Sequence, residues 1–220
     1  FAELGLSPAV VASLQKAQWH KPTEIQKKAI PIVREGRDLL AIAQTGSGKT
    51  GAFLLPILDR IGQTSVRRQN PTALILAPTR ELALQLMQNV EFFASAVNLS
   101  GALLIGGASA LVQKEALEAR PEIIVATPGR LLDHLRQKNL TLCDIELLVL
   151  DEADRMLDMG FLPDIKRILS VCNEKRQSLL FSATLTDDIH LLAQKLLKKP
   201  RLIEINANRD VATIDQVFYQ

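Results

Sequence analysis

Short apolar runs rich in Val, Ile and Leu recur along the chain and alternate with longer stretches in which apolar residues return every three or four positions. The runs at 39–43, 73–77, 102–105, 123–126, 147–150, 178–181 and 202–205 are short and almost unbroken, as strands buried on both faces of a sheet are. Residues 50–61, 81–94, 130–138, 164–169 and 187–197 carry the helical period. Strand, helix, strand, repeated, predicts an α/β fold with a mainly parallel sheet and right-handed crossovers that set helices on both faces. The first 36 residues read differently, as a helical annex with two starts, Ser7-Pro8 and Thr23. Residues 37–207 form the body of the domain, and 208–220 read as the start of a linker. The segment at 63–71, QTSVRRQNP, reads as a polar loop within the body.

Ligands of open α/β sheets gather beyond the carboxyl ends of the strands, so the residues after each run carry the functional signal. The first run leads into Gln44-Thr45-Gly46-Ser47-Gly48-Lys49-Thr50, the second into Pro78-Thr79-Arg80-Glu81, and the third into Gly106-Gly107. Thr127-Pro128-Gly129-Arg130 follows the fourth, Asp151-Glu152-Ala153-Asp154 the fifth and Ser182-Ala183-Thr184 the sixth. Glycine-rich or polar chemistry at successive strand ends predicts an active-site rim.

One of these ends poses a problem. In ELLVLDEADRM a buried run opens straight into Asp151, Glu152 and Asp154, carboxylates that repel one another and are costly to desolvate. A positive partner is required. AQTGSGKT, residues 43–50, fits the phosphate-binding loop pattern with Ala43 in place of the first glycine. Its backbone N–H groups would converge on phosphate oxygens at a helix start. Lys49 would reach the terminal phosphates and the Thr50 hydroxyl would ligate Mg²⁺. Asp151 would hold the metal and Glu152 would orient or deprotonate the attacking water. The missing cation is thus Mg²⁺ on a nucleoside triphosphate, with the acidic strand expected to neighbour the phosphate-loop strand.

Composition narrows the field. At 220 residues, with 47% hydrophobic and 23% charged, the chain is long enough for a substantial core and ordinary for a soluble globular domain. A net charge of +2 gives no global basic field, so nucleic-acid contact has to come from a local patch. Cys143 and Cys172 are too few for a disulfide framework and lack metal-ligand company, which suggests buried thiols in a reducing compartment. No apolar stretch reaches the roughly 18–20 residues that span a bilayer, and no basic-then-apolar leader precedes the annex. The chain starts at Phe1 without Met and stops at VFYQ, a strand-like run, and is expected to be a piece of a longer protein.

Together the motifs closely resemble the first RecA-like domain of the DEAD-box RNA helicases. AQTGSGKT, PTREL, the glycine pair, TPGR, DEAD and SAT occur in the family's order, and the resemblance covers essentially the whole chain. Wording such as DEADRMLDMGF is similar to that of bacterial members. The resemblance implies a P-loop ATPase of RecA-like fold that uses ATP and Mg²⁺ and acts on RNA. Lys21, Thr23 and Gln26, in Lys21-Pro22-Thr23-Glu24-Ile25-Gln26, look like the family's adenine-reading motif, with Trp19 over the base and Phe1 as the isolated upstream aromatic. The Gln26 amide can both donate and accept, which suits the N6/N7 edge of adenine. Thr23-x-x-Gln26 is equally a capping box. Gln18 departs from the pattern, since the family usually has Gly before the aromatic.

By the same resemblance Pro78, Thr79, Arg80, Gly106, Gly107, Thr127, Pro128, Gly129 and Arg130 contact the RNA backbone. Ser182 and Thr184 would connect the acidic motif, through Asp154, to closure around RNA. His20, His134 and His190 lie in no metal-ligand spacing and read as surface or packing residues, and Lys198-Lys199-Pro200-Arg201 as a solvated helix end. The whole protein is expected to be a cytoplasmic, ATP-driven helicase that closes two RecA-like domains and opens short duplexes. Its class of protein partner would be ribonucleoprotein, RNA-degradation or ribosome-assembly factors, with no membrane involved. This chain, lacking the second domain and its arginines, is expected to bind nucleotide but hydrolyse it slowly. An ATP-gated RNA clamp uses the same motifs and stays open as an alternative. A P-loop kinase or transporter-type ATPase would leave Gln26, TPGR and SAT unexplained.

Overall fold

A computed structural model of the chain describes residues 1–64 and 69–205. Seven strands form one sheet: β1 (Leu39–Ala43), β2 (Ala73–Leu76), β3 (Gly101–Leu104), β4 (Ile123–Ala126), β5 (Leu147–Leu150), β6 (Gln177–Ser182) and β7 (Arg201–Ile205). Neighbouring strands all run parallel, in the order β3-β4-β2-β5-β6-β1-β7. Every apolar run expected to be a strand is one, with ends displaced by no more than a residue.

Alternation along the strands explains why they read as unbroken apolar runs. Leu39, Ala41 and Ala43 of β1, with Leu147 and Val149 of β5, face one core. Leu40, Leu148 and Leu150 face a second core on the other side of the sheet. The first core is covered by α1 (Pro8–Lys16), α2 (Glu24–Arg34), α3 (Lys49–Gly62) and α4 (Arg80–Ala94). The second lies under α5 (Ala110–Glu118), α6 (Pro128–Arg136), α7 (Ala153–Asp158), α8 (Leu162–Val171) and α9 (Asp187–Leu196).

The annex starts where the sequence places it, with Ser7 and Thr23 as the N-caps of α1 and α2. It is part of the first core, to which Val10, Leu14, Ile25 and Ile30 contribute. The buried Asp59 of α3 clamps it in place, accepting a hydrogen bond from the Ser7 amide at 2.8 Å and facing Arg34 at 3.8 Å.

Two departures from expectation bear on the site. Helices α5 and α7 were not among the periodic stretches. Only Gln113 and Leu117 of α5 are buried, and α7 is a six-residue helix that begins within the acidic motif, so neither shows a clear apolar stripe. The acidic strand β5 does not neighbour the phosphate-loop strand β1, because β6 lies between them. The Ser182-Ala183-Thr184 turn therefore comes between the phosphate loop and the acidic motif. The expected linker at 208–220, VFYQ, Arg67 and Arg68 lie outside the described residues.

Candidate functional site

Sheet order sorts the rim into two halves. Strands β5, β6 and β1 carry the acidic motif, SAT and the phosphate loop side by side, while β3, β4 and β2 carry the glycine pair, TPGR and PTREL.

In the first half, Gly48 caps α3 with φ of 96°, a left-handed conformation that glycine adopts without strain. Lys49 begins the helix, only 6% exposed, and its ammonium has no hydrogen-bond partner among the described residues; neither has the buried Ser47 hydroxyl. A buried cation and a buried hydroxyl without partners, at a helix N-terminus, suit an anion with several acceptor oxygens. Across the site Asp151 is also buried, and its Oδ1 accepts from the Glu152 amide at 3.0 Å. Burial pushes its carboxyl up to about 6, against the pull of the Lys49 charge and with a further push from Glu152 and Asp154. This is a carboxylate whose ionised form calls for a nearby cation.

Glu152 holds φ of 52° and ψ of 52°, a conformation uncommon for a side chain larger than glycine's. Its carboxylate is drawn toward Arg155 at 3.5 Å. Asp154 straps the neighbouring turn: its Oδ2 accepts from the Ala183 and Thr184 amides at 3.0 Å each and from the Thr184 hydroxyl at 3.1 Å. Partial burial pushes the Asp154 carboxyl up, but the Arg155 amide, the Thr184 and Ser182 side chains and the Ala183 amide outweigh it and hold the carboxyl below its ordinary value. Ser182 itself donates to the Thr184 carbonyl at 2.7 Å. The expected link from Asp154 to SAT is thus made directly through Thr184.

Gln26 of α2 is 3% exposed and joins the annex to the phosphate loop. Its Oε1 accepts from the Thr23 amide at 3.0 Å, as in a capping box, and its Nε2 donates to the Gly48 carbonyl at 3.1 Å. Both ends of the amide are used once, leaving by valence one donor hydrogen and one acceptor lone pair. Trp19 packs against Phe93 with ring centroids 5.1 Å apart, and its ring approaches so closely that a methyl group added to Gly51 would lie 2.7 Å from it. Gln18 stands at φ of 60°, which is the physical reason a glycine suits that position and the cost of its absence here. Phe1 is half-buried against the first core. Lys21 is exposed and Thr45 lies on the exposed part of the loop.

In the second half, Thr79 caps α4 by accepting from the Leu82 amide at 3.3 Å, and Thr127 caps α6 with Pro128 in the first turn. Arg80 reaches across to the glycine pair: a methyl group on Gly107, whose φ is 74°, would lie 2.2 Å from its guanidinium. The structure thus brings two of the expected contact motifs together, with TPGR on the strand between. Arg80 is exposed and Arg130 half-buried, and neither has an ion-pair or hydrogen-bond partner among the described residues.

Sequence reasoning passed over Arg155, which faces Glu152; DEADR places it three residues on, a spacing that brings helical side chains together. His134, expected to be a surface or packing residue, is a packing one, 1% exposed and hydrogen-bonded to Gln113, a partner the sequence did not indicate. The place of His134 three residues after the buried Leu131 was the available signal of its burial. Of the two thiols expected to be buried, Cys172 is, whereas Cys143 is exposed, since it stands in the polar connection between α6 and β5 and not on an apolar face. No helix among the described residues is long and apolar enough to cross a membrane.

Comparison with known proteins follows the same lines. Residues 23–192 match the family model described as DEAD/DEAH box helicase. Over 220 residues the chain is 45% identical to Probable ATP-dependent RNA helicase ddx27 of Dictyostelium discoideum, covering 99% of this chain and 28% of that protein. It is 42% identical over 219 residues to ATP-dependent RNA helicase CshA of Listeria monocytogenes, covering 100% of this chain and 42% of the relative. The crystal structure of a DEAD box protein from the hyperthermophile Methanococcus jannaschii superposes with a TM-score of 0.88 at 38% identity, covering 94% of this chain and 56% of that one. The chain spans about half the length of these proteins or less.

Proposed function

The chain belongs to the DEAD/DEAH box helicase family, with the RecA-like fold of that family's solved structure, and from that premise we propose that it is the ATP-binding domain of an ATP-dependent RNA helicase. The observation that carries this reading is the buried, unpartnered Lys49 ammonium facing the buried Asp151 carboxyl. Lys49, Ser47 and the loop amides would hold the phosphates of a Mg²⁺-bound nucleoside triphosphate, which would compensate both charges at once. Thr50 and Asp151 would hold the metal, which when bound neutralises phosphate charge. The residues present fit it.

The remaining roles follow from position. Gln26 reads adenine with the hydrogen-bonding capacity its two internal contacts leave free, while Trp19 walls the same side of the loop. Glu152 stands where a carboxylate can orient the attacking water. Asp154 ties this site to the SAT turn, so rearrangement at one is felt at the other. Arg80, Arg130, the glycine pair and the amide-bearing starts of α4 and α6 hold a nucleic-acid backbone, whose sequence such contacts do not read. RNA as the ligand is a proposal taken from the family. Turnover and duplex opening belong to the whole protein. This chain alone is expected to hydrolyse slowly, since an arginine finger is worth on the order of 10³–10⁵ in rate.

Calorimetry with Mg²⁺ and either ADP or GDP, on the wild type and on Gln26→Ala, tests the assignment. Tighter ADP binding that the substitution abolishes supports it. Equal binding of the two nucleotides, indifferent to the substitution, reduces Gln26 to a helix cap and sinks adenine specificity. Brisk RNA-stimulated hydrolysis by this chain would overturn the expectation of slow turnover.

A further inference from the structure

The two RNA-facing turns, Gly106-Gly107 and TPGR, stand on neighbouring strands, but adjacency alone does not fix the axis of the helix that carries Arg130. Beneath them lies a line of buried polar side chains. Gln113 of α5 donates through Nε2 to the Ile105 carbonyl at 3.0 Å. Its Oε1 lies 3.2 Å from His134 Nε2, and Asn139 Nδ2 lies 3.0 Å from His134 Nδ1. Gln113 and His134 are both buried.

The direction of this line follows from its end. The Ile105 carbonyl can only accept, so Gln113 must present Nε2 to it and turn Oε1 toward the imidazole. His134 Nε2 must then carry the proton, and Nδ1, left bare, accepts from Asn139. All three hydrogen bonds run toward Ile105, the residue before Gly106, and the imidazole is neutral. One residue earlier, the Leu104 carbonyl accepts from the Thr127 amide at 3.0 Å. The end of β3 therefore holds the TPGR segment twice, through Thr127 and through His134, and Arg130 lies between the two ties.

We infer that Gln113 and His134 are positioning residues that fix α6, and with it Arg130, against the Gly106-Gly107 turn to form one RNA-binding platform. The inference rests on the proposed RNA-contact role of that turn and of TPGR. Packing alone does not require it, because two apolar side chains could fill the same space; a polar line transmits a fixed orientation where apolar packing tolerates rotation.

The test uses the purified chain with Gln113→Leu, His134→Phe, the double variant and Arg130→Ala. Three quantities are read: binding of a fluorescein-labelled oligouridylate at low salt, binding of Mg²⁺-ADP, and the ¹H–¹⁵N amide chemical shifts of Gly106 and Gly107. Each relay variant is expected to weaken oligonucleotide binding by about threefold to tenfold, the range of such indirect couplings. The double variant should be no worse than the more damaging single one, and ADP binding should be unchanged. The Gly106 and Gly107 amide resonances should move in His134→Phe, although His134 lies on α6 and the pair in the turn after β3. His134→Gln, which keeps a donor and an acceptor, should return them toward their wild-type positions, which mere loss of packing would not predict.

Unmoved amide resonances at the glycine pair in a folded His134→Phe overturn the relay, as does an imidazole ¹⁵N spectrum that places the proton on Nδ1. If Arg130→Ala leaves oligonucleotide binding unchanged, the RNA reading fails instead, and the chemical shifts still decide the relay.

Discussion

The two halves of the rim solve different problems. On the β5-β6-β1 side, charges are buried without sufficient partners: the Lys49 ammonium is bare, the Asp151 carboxyl is pushed up to about 6, and Glu152 sits in left-handed backbone. On the β3-β4-β2 side, buried polar groups are paired, with Gln113, His134 and the Thr127 amide all engaged, while Arg80 and Arg130 stay nearer the solvent. A compact, multiply charged ligand withdrawn from water can compensate buried charge, so its site is left electrostatically incomplete. A polymer that stays partly solvated, the ligand proposed for the second half, cannot do so, and would be met by surface guanidinium groups on a platform already satisfied. The nucleotide half should therefore trade stability for binding, and the RNA half should not.

The strongest way to break this contrast is Lys49→Met, which keeps an apolar stem and deletes the charge. Truncating one member of a buried charged contact typically costs about 2–5 kcal/mol of binding, so Mg²⁺-ADP affinity should fall by at least an order of magnitude. The ligand-free variant should melt close to the wild type, because the lost ammonium makes no hydrogen bond and the buried Asp151 carboxyl, deprived of its pull, can stay protonated. Calorimetry and thermal denaturation on the same preparation decide it. A variant that binds weakly and is also markedly less stable would mean that Lys49 has an internal structural role.

A smaller effect tests stored strain. Glu152→Gly removes a left-handed side chain, which costs roughly 1 kcal/mol or more relative to glycine. The exposed Arg155 loses a partner, but such pairs are worth little. The variant should therefore be about as stable as the wild type or up to about 1 kcal/mol more so in urea unfolding, partly offset by the freedom glycine adds to the unfolded chain. In the whole protein it should lose hydrolysis. Clear destabilisation would show that Glu152 is held by favourable contacts and is not strained.

What could be read in advance divides along the same line. The nucleotide half announces itself because its chemistry is local: Gly46 to Thr50 and Asp151 to Asp154 are contiguous, and each follows a strand whose two buried faces make it an unbroken apolar run. The order of those strands is not local. That β6 enters between β5 and β1, and so brings Thr184 to Asp154, depends on crossovers that no single segment encodes. The RNA half hides its support for the same reason. Gln113 and His134 lie 21 residues apart on separate helices, and α5 buries too few residues to display an apolar stripe. Gln26 lies between these cases: its capping role is visible in Thr23-x-x-Gln26, whereas its bond to Gly48 spans 22 positions and needs the fold.

The smallest predicted effect comes from the satisfied half, and its sign follows from His134. Burial, reinforced by the Arg130 charge and opposed by Asp133, holds the imidazole pKa below its ordinary value. Gln113 and Asn139, the groups that meet its two nitrogens, are uncharged. As pH falls through about 6.5 the unfolded chain takes up a proton at this position, while the folded chain resists until a lower pH. Between those two values the unfolded state binds more protons, so the contribution of the neutral relay is complete above about pH 6.5 and is lost on acidification through that window. Urea midpoints at neutral and mildly acidic pH should therefore fall further for the wild type than for His134→Gln, which cannot titrate. Because both proteins share His20, His190 and every carboxylate, the difference isolates one imidazole. Parallel pH dependences would mean that His134 is already charged or already wet in the folded chain, and the RNA half would then be as incomplete as the nucleotide half.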